Sequence, residues 1–281
     1  MLTITPQEVA DRAEELADEL LDGEGAIRLT NVIEPADLAD ARERIRAAPA
    51  DRDGERYRVW NVLHLGEVFE RMVQIPEVLA IVDTLLGDRA TLGSVGANRV
   101  LPGGRGQGAH IDYPYWDIYN ESAYPRRFST AYPLNCQVTI LLDDFTAESG
   151  ATAWAPGTQD LLQFPNTRDE FDSRSKQMIG VAGDIVIFNG ACWHCAMPNE
   201  SDAERTGLLL QYLPKFVRPM EDLLTGLPTV VLERATPTLR RLLNLHGRVV
   251  DTADLPDDCT EVPEPPRDGT YRTDAGGTSG N

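Results

Sequence analysis

Gly108-Ala109-His110-Ile111-Asp112-Tyr113-Pro114 and, about eighty residues later, Asn189-Gly190-Ala191-Cys192-Trp193-His194 are the two stretches whose reading decides the fold. Successive side chains of a strand point to opposite faces, so His110 and Asp112, two apart, present their ligand atoms on one side. The chain has four histidines. His194 follows Gly183-Asp184-Ile185-Val186-Ile187-Phe188, a turn and an apolar strand that bring the chain back across a sheet towards the first pair. Two imidazoles and a carboxylate on one face leave half of a metal's coordination sphere open. That donor set suits non-haem Fe(II), which must also hold a co-substrate and oxygen.

Arg205 comes eleven residues after His194 and opens a run that continues into Leu208-Leu209-Leu210-Gln211-Tyr212-Leu213. A hairpin turn over 199–204 sets Arg205 opposite Met197 and places its guanidinium roughly 10 Å from the metal at the usual strand rise. This is the reach of a five-carbon diacid that chelates at one end and meets an arginine fork at the other.

The order His-x-Asp, then Gly-Asp-x-x-x-Phe-(x)5-His, then Arg resembles the phytanoyl-CoA dioxygenase (PhyH) superfamily of Fe(II)/2-oxoglutarate-dependent oxygenases. The likeness runs from roughly residue 25 to residue 216. It is strengthened by Leu141-Leu142-Asp143-Asp144-Phe145-Thr146-Ala147-Glu148-Ser149-Gly150-Ala151-Thr152 and by Pro156-Gly157-Thr158. The resemblance implies a mainly β fold with flanking helices: a double-stranded β-helix, or cupin-like jelly roll, with N-terminal helices packed on the barrel. It also implies that His110, Asp112 and His194 ligate iron and that Arg205 binds the distal carboxylate of 2-oxoglutarate. Asn98 stands where such proteins often carry an amide near the co-substrate.

The implied reaction is a dioxygenase reaction that oxidises an unactivated C–H bond of a small-molecule metabolite or natural-product intermediate, most simply by hydroxylation, with release of succinate and CO2. Asp112 argues against halogenation, for which related enzymes replace the ligand carboxylate with Ala or Gly. Two departures stand out: Gln159 occupies a position that is often histidine, and Ala196 one that is often serine. The second leaves Arg205 to lean on another hydroxyl, Thr139 or Thr152. The alternatives are a cupin-like metal enzyme that works without 2-oxoglutarate and a non-catalytic ligand-binding jelly roll.

Gln107 ends the run Gly103-Gly104-Arg105-Gly106-Gln107-Gly108, which has no Lys-Ser/Thr ending and no following helix, so it reads as a turn leading to the metal strand rather than a phosphate cradle. Gln107 is a candidate for touching the co-substrate, and Thr152 and Trp154 are candidates for lining its cavity. Between Tyr113 and Tyr132 lie seven of the chain's nineteen aromatic residues. A loop emerging beside a metal commonly walls a substrate pocket, which makes Tyr113, Tyr115 and Trp116 substrate-facing candidates, joined by Gln137 from the next strand. Arg126 and Arg127 are candidate anion anchors or solvated charges.

The remaining sequence sets the frame. With 26 Lys and Arg against 45 Asp and Glu, the formal charge of the 281 residues is −19, which disfavours nucleic acid and anionic membranes as partners. The expected partners are a small-molecule substrate and O2. The N-terminus lacks a basic and an apolar targeting region, so a cytoplasmic location is expected. Cys136, Cys192, Cys195 and Cys259 form no disulfide framework, and Cys192-x-x-Cys195 lacks the second pair that a zinc site needs.

One oxygenase domain is expected over 1–250, with a helical N-terminal part (1–89), a jelly-roll core (90–216) and a C-terminal helical extension (217–250). A loosely held tail rich in Pro, Asp and Gly follows over 251–281. Helices are expected over Pro6–Leu21, 34–47, 67–75, 77–86 and 237–245. Strands are expected over Ala26–Leu29, 57–63, Thr91–Val100, 135–142 and 178–181.

Overall fold

A computed structural model describes residues 1–112 and 132–245. The aromatic candidates Tyr113, Tyr115 and Trp116, together with Arg126, Arg127, Cys259 and the C-terminal tail, lie outside the described residues. In chain order the elements are β1 (Leu2–Ile4), α1 (Pro6–Leu21), β2 (Ala26–Leu29), α2 (Pro35–Ala47), β3 (Asp51–Asp53) and β4 (Arg56–Val59). A 3-10 turn (Val62–Leu65), α3 (Glu67–Met72), α4 (Pro76–Leu86), β5 (Thr91–Val100), β6 (Cys136–Leu141), β7 (Ala153–Trp154) and α5 (Arg168–Asp172) come next. The last are β8 (Lys176–Gln177), β9 (Ile185–Asn189), β10 (His194–Cys195), β11 (Arg205–Leu213), α6 (Thr229–Arg234) and α7 (Pro237–Leu242).

The strands form an eight-stranded sheet, β1-β2-β9-β6-β11-β5-β4-β3, and a three-stranded sheet, β10-β7-β8. Apart from the parallel β1–β2 pair, every pairing in both sheets is antiparallel. This is the jelly-roll arrangement, with helices on the outer face of the larger sheet.

Period-two alternation explains how one sheet serves two environments. Cys136, Val138 and Ile140 of β6 and Leu208, Leu210 and Tyr212 of β11 join the main apolar core, where Val9, Leu16 and Leu20 of α1 and Val78, Ile81 and Val82 of α4 also sit. The intervening residues, Gln137 and Thr139 on β6 and Arg205, Gly207, Leu209 and Gln211 on β11, line a cavity on the inner face. Burying the apolar stripe of α1 therefore orients the polar residues two strands away. The helix itself starts where the sequence directs it: Pro6 presets the first turn, and the Thr5 amide donates to Glu8 Oε2 at 2.8 Å.

Expected and observed elements agree for α1, β2 and β5 and differ elsewhere for local reasons. The strand expected over 57–63 stops at Val59, because Asn61 turns left-handed (φ 40°) and starts the 3-10 turn. Helices begin at Pro35 and Pro76, whose rings suit the first helical position, and the last helix ends at Leu242 rather than 245. No strand forms over 178–181. Only the Phe145–Gly180 bridge appears there, because the Val181 amide donates to the Asp184 carboxylate at 3.2 Å instead of to a ladder. The polar stretch 161–176 contains the short helix α5. The N-terminal part is more than helical, since β1 to β4 supply both edges of the larger sheet.

The hairpin expected to pair Arg205 with Met197 does not form. Arg205 pairs with Val100 of β5, while β10 lies in the other sheet. Pro198 has no amide to continue a ladder. The Asn199 side chain donates to the carbonyls of Val100 (3.0 Å) and Ala203 (2.8 Å), which carries the chain across to the larger sheet.

Tyr212 ties this sheet to the helical layer: fully buried, its hydroxyl donates to the Val73 carbonyl at 2.9 Å, just beyond α3. Tyr212→Phe is expected to cost about 1–2 kcal/mol, because the carbonyl is left buried and unpaired. Urea unfolding should show a lower midpoint with an unchanged slope, and an unchanged midpoint would refute this account of the sheet–helix tie.

Candidate functional site

A pair of reciprocal backbone hydrogen bonds joins the His110 and His194 segments. The His110 amide donates to the His194 carbonyl at 3.0 Å, and the His194 amide donates back at 2.9 Å. Two residues on from His110 but four back from His194, the Asp112 amide donates to the Gly190 carbonyl at 2.8 Å, so the pairing is a single bridge followed by a turn rather than a continuous ladder. The resulting closeness is visible in the imidazole rings, whose centroids are 4.5 Å apart.

Each ring is oriented from behind. His110 Nδ1 lies 2.8 Å from the Gly108 carbonyl, and His194 Nδ1 lies 2.9 Å from the Cys192 carbonyl. A carbonyl can only accept, so in the neutral ring the proton sits on Nδ1 and the lone pair of Nε2 is left for a metal. Both Nε2 atoms face Asp112, at 3.5 Å for His110 and 3.3 Å for His194. One ligand atom from each of the three residues lies within 4.8 Å of the others.

Burial works against the carboxylate charge of Asp112, but the neighbouring His194 and His110 outweigh it and hold its pKa well below the usual carboxylate range. Burial likewise opposes the charged form of His110, and the bond and charge of Asp112 more than offset this, so its pKa is raised. A divalent cation bound by the three groups would supply positive charge beside the Asp112 carboxylate.

The triad opens on a cavity of about 170 Å³. Asn98, Gln107, Gln137, Thr139, Thr152 and Arg205 all line it. Trp154 does not: it packs in a second apolar cluster and its indole donates to the Glu24 carbonyl, because β7 begins at Ala153 and turns the two neighbours apart. Arg205 is only 4% exposed and its Nε has no hydrogen-bond partner. Neither Thr139 nor Thr152 takes up the guanidinium, which instead lies 4.5 Å over the Phe145 ring. Among the described residues no carboxylate reaches ion-pairing distance of it. Burial, with the Arg56 charge adding to it, lowers its pKa to about 10, which still leaves a cation at neutral pH. A buried, unpaired cation beside a metal-type donor set asks for an anionic ligand.

The unusual Thr158-Gln159 pair supports the triad from outside. The Trp193 amide donates to Thr158 Oγ1 at 2.9 Å, and Gln159 Nε2 donates to the carbonyls of Leu21 and Gly23. Gln159 Oε1 accepts from the Cys192 thiol at 3.2 Å. Burial pushes the Cys192 and Cys195 thiols up to about 12 and 11, so both stay protonated and neither belongs to the metal-type cluster. Gly25, at φ 76°, leaves room for Cys192, since a β-carbon there would lie 2.4 Å from its sulfur.

Sequence reasoning did not single out Arg58, Ser94, Phe188, Gly207, Leu209, Gln211 and Met220, which also line the cavity. The two-residue alternation that starts at Arg205 carried the signal for Gly207, Leu209 and Gln211. Phe188 packs edge-on to His194 at 5.0 Å and closes the apolar side of the triad.

A sequence profile of the family described as phytanoyl-CoA dioxygenase (PhyH) matches residues 21–207. The chain is similar to Dioxygenase af480 of Aspergillus fumigatus, with 26% identity over 247 residues that cover 82% of this chain and 77% of that protein. Among solved structures, it is similar in fold to HygX from Streptomyces hygroscopicus, crystallised with nickel and 2-oxoglutarate bound. The TM-score is 0.59 at 16% identity, covering 72% of this chain and 87% of that one. It is also similar to SnoN, a non-heme alpha ketoglutarate dependent epimerase from nogalamycin biosynthesis, with a TM-score of 0.58 at 17% identity over 75% of this chain and 86% of that one.

Asp112→Ala removes the only carboxylate of the donor set. Divalent-cation affinity, measured by calorimetry with Fe(II) under anaerobic conditions, should fall by at least the roughly 10- to 100-fold that losing even an outer-shell partner costs, while the far-UV circular dichroism and cooperative unfolding are retained. Unchanged metal affinity in the folded variant would remove Asp112 from the donor set.

Proposed function

The chain belongs to the phytanoyl-CoA dioxygenase (PhyH) family, and from that membership we propose that it is an Fe(II)- and 2-oxoglutarate-dependent dioxygenase that oxidises a C–H bond of a small-molecule metabolite. The observation that carries the reading is the convergence of His110, Asp112 and His194 on the cavity that also holds the unpaired cation Arg205. Iron in this donor set supplies the oxidising chemistry, in which O2 is consumed, 2-oxoglutarate is converted to succinate and CO2, and the substrate C–H bond is oxidised.

The residues divide the remaining work. His110, Asp112 and His194 would hold the metal, with one ligand atom from each. Arg205 meets the distal carboxylate of 2-oxoglutarate, and its planar fork fixes the direction of the co-substrate as well as its charge. Gly207 keeps the floor beneath that carboxylate low: a β-carbon there would lie 3.0 Å from Phe145 and 3.3 Å from the Thr139 methyl. Asn98, Gln107 and Thr152, which line the cavity, would hydrogen-bond the co-substrate, and Gln137, also in the lining, would face the substrate. Phe145, Phe188 and Leu209 exclude water, which strengthens each polar contact inside.

A small metabolite fits better than a coenzyme A thioester, whose phosphates would favour a basic entrance over a chain with a net charge of −19. No helix among the described residues is long and apolar enough to cross a membrane.

Anaerobic addition of Fe(II) and 2-oxoglutarate should produce the weak visible charge-transfer band of a chelated 2-oxo acid, and admission of O2 should release succinate. In Arg205→Ala the band should need on the order of 10- to 100-fold more 2-oxoglutarate, because charge-assisted hydrogen bonds are lost. A folded wild-type protein that binds Fe(II) but never develops the band would refute the co-substrate assignment.

A further inference from the structure

Gln211 is a buried carboxamide that no described residue satisfies. The residue is 2% exposed, it lines the cavity, and neither Nε2 nor Oε1 has a hydrogen-bond partner. It lies on the cavity face of β11 six residues beyond Arg205, which at the strand rise separates the two positions by about 20 Å. The arginine therefore marks one end of the cavity and the amide the other. In register, Gln211 stands between Ser94 of β5 and Gln137 of β6, both of which line the same cavity.

The backbone is shaped around this amide. A bulge interrupts the β5–β11 ladder between Gln211 and Tyr212, and Gly93 lies opposite it. A β-carbon at Gly93 would sit 2.4 Å from Gln211 Oε1, so the bare strand is what gives the carboxamide its place. An amide buried without partners is a standing cost to the fold. The cavity is the one place where compensation can come from. Water can supply it in the free protein, but a substrate that displaces that water must replace both bonds or lose affinity.

We propose that Gln211 determines substrate specificity by reading a hydrogen-bond donor adjacent to an acceptor, the N–H and C=O edge of a carboxamide or lactam. Nε2 donates to the substrate carbonyl, and Oε1 accepts from the substrate N–H. The substrate class is therefore an amide-bearing small molecule, held at the end of the cavity away from Arg205. This inference rests on the oxygenase reading of the same cavity.

The test uses three probes of similar size: 2-piperidone, with donor beside acceptor; N-methyl-2-piperidone, with the acceptor alone; and cyclohexanecarboxylate, an anion. Each is titrated by ligand-observed NMR into metal-free protein and into protein loaded anaerobically with Fe(II) and 2-oxoglutarate. 2-Piperidone should bind about tenfold or more tightly than its N-methyl derivative, because methylation leaves Oε1 unpaired. Gln211→Leu should abolish that ratio, and Gln211→Glu, which keeps the shape and loses the donor, should weaken 2-piperidone binding if the leucine variant fails to fold.

Equal binding of the two lactams, a ratio that survives in Gln211→Leu, preference for the carboxylate, or no lactam binding overturns the proposal. The visible band of the loaded wild-type protein is independent of these ratios. Its absence overturns the oxygenase reading, and its presence with no lactam discrimination overturns this inference alone.

Discussion

The two-way backbone bridge between His110 and His194 is the constraint on which the rest of the site depends. Two segments about eighty residues apart are locked in register by a pair of N–H···O=C bonds, and a third bond from Asp112 to Gly190 sets the carboxylate opposite both imidazoles. With the backbone so held, the local Nδ1 contacts to Gly108 and Cys192 decide ring orientation. A metal-type donor set therefore exists because strand pairing brings the ligands together, and carbonyls behind the rings turn their lone pairs inward.

Around that bridge the two faces of the larger sheet do opposite jobs. Leu208, Leu210 and Tyr212 lie in a dry core under α1 and α4, and that packing holds β11 rigid enough to keep Arg205 and Gln211 in the cavity without partners of their own. Unpaired polar groups of this kind oppose folding, and they persist where the surrounding core over-determines the backbone. The cavity thus carries a guanidinium at one end of β11 and a carboxamide at the other, with Leu209 between them on that strand.

Some of the fold was legible because local chemistry and tertiary packing agree. α1 has its N-terminal box and apolar stripe, β5 runs over the expected Thr91–Val100, and the Gly183-Asp184 turn has its φ of 98° with the Asp184 carboxylate accepting from Asn31 and Val181. Other features were not legible because partners distant in sequence settle them. The residues after His194 look like a hairpin, yet Asn199 binds the Val100 carbonyl and sends Arg205 to β5. Thr152 and Trp154 look like neighbours on one strand face, yet the strand begins between them.

By itself the sequence determined which chemical groups are available and which of them share a strand face, since a period of two follows from backbone geometry alone. The row from Arg205 to Gln211 is readable at that level, whereas the strand expected to carry His110 and Asp112 is a single bridge at His110, and the two side chains meet through contacts with the His194 segment. Only the tertiary structure decided which faces meet, which polar groups find partners and which remain unpaired. Those outcomes depend on contacts between segments far apart in the chain, as when Phe145 rather than a threonine hydroxyl comes to lie under Arg205.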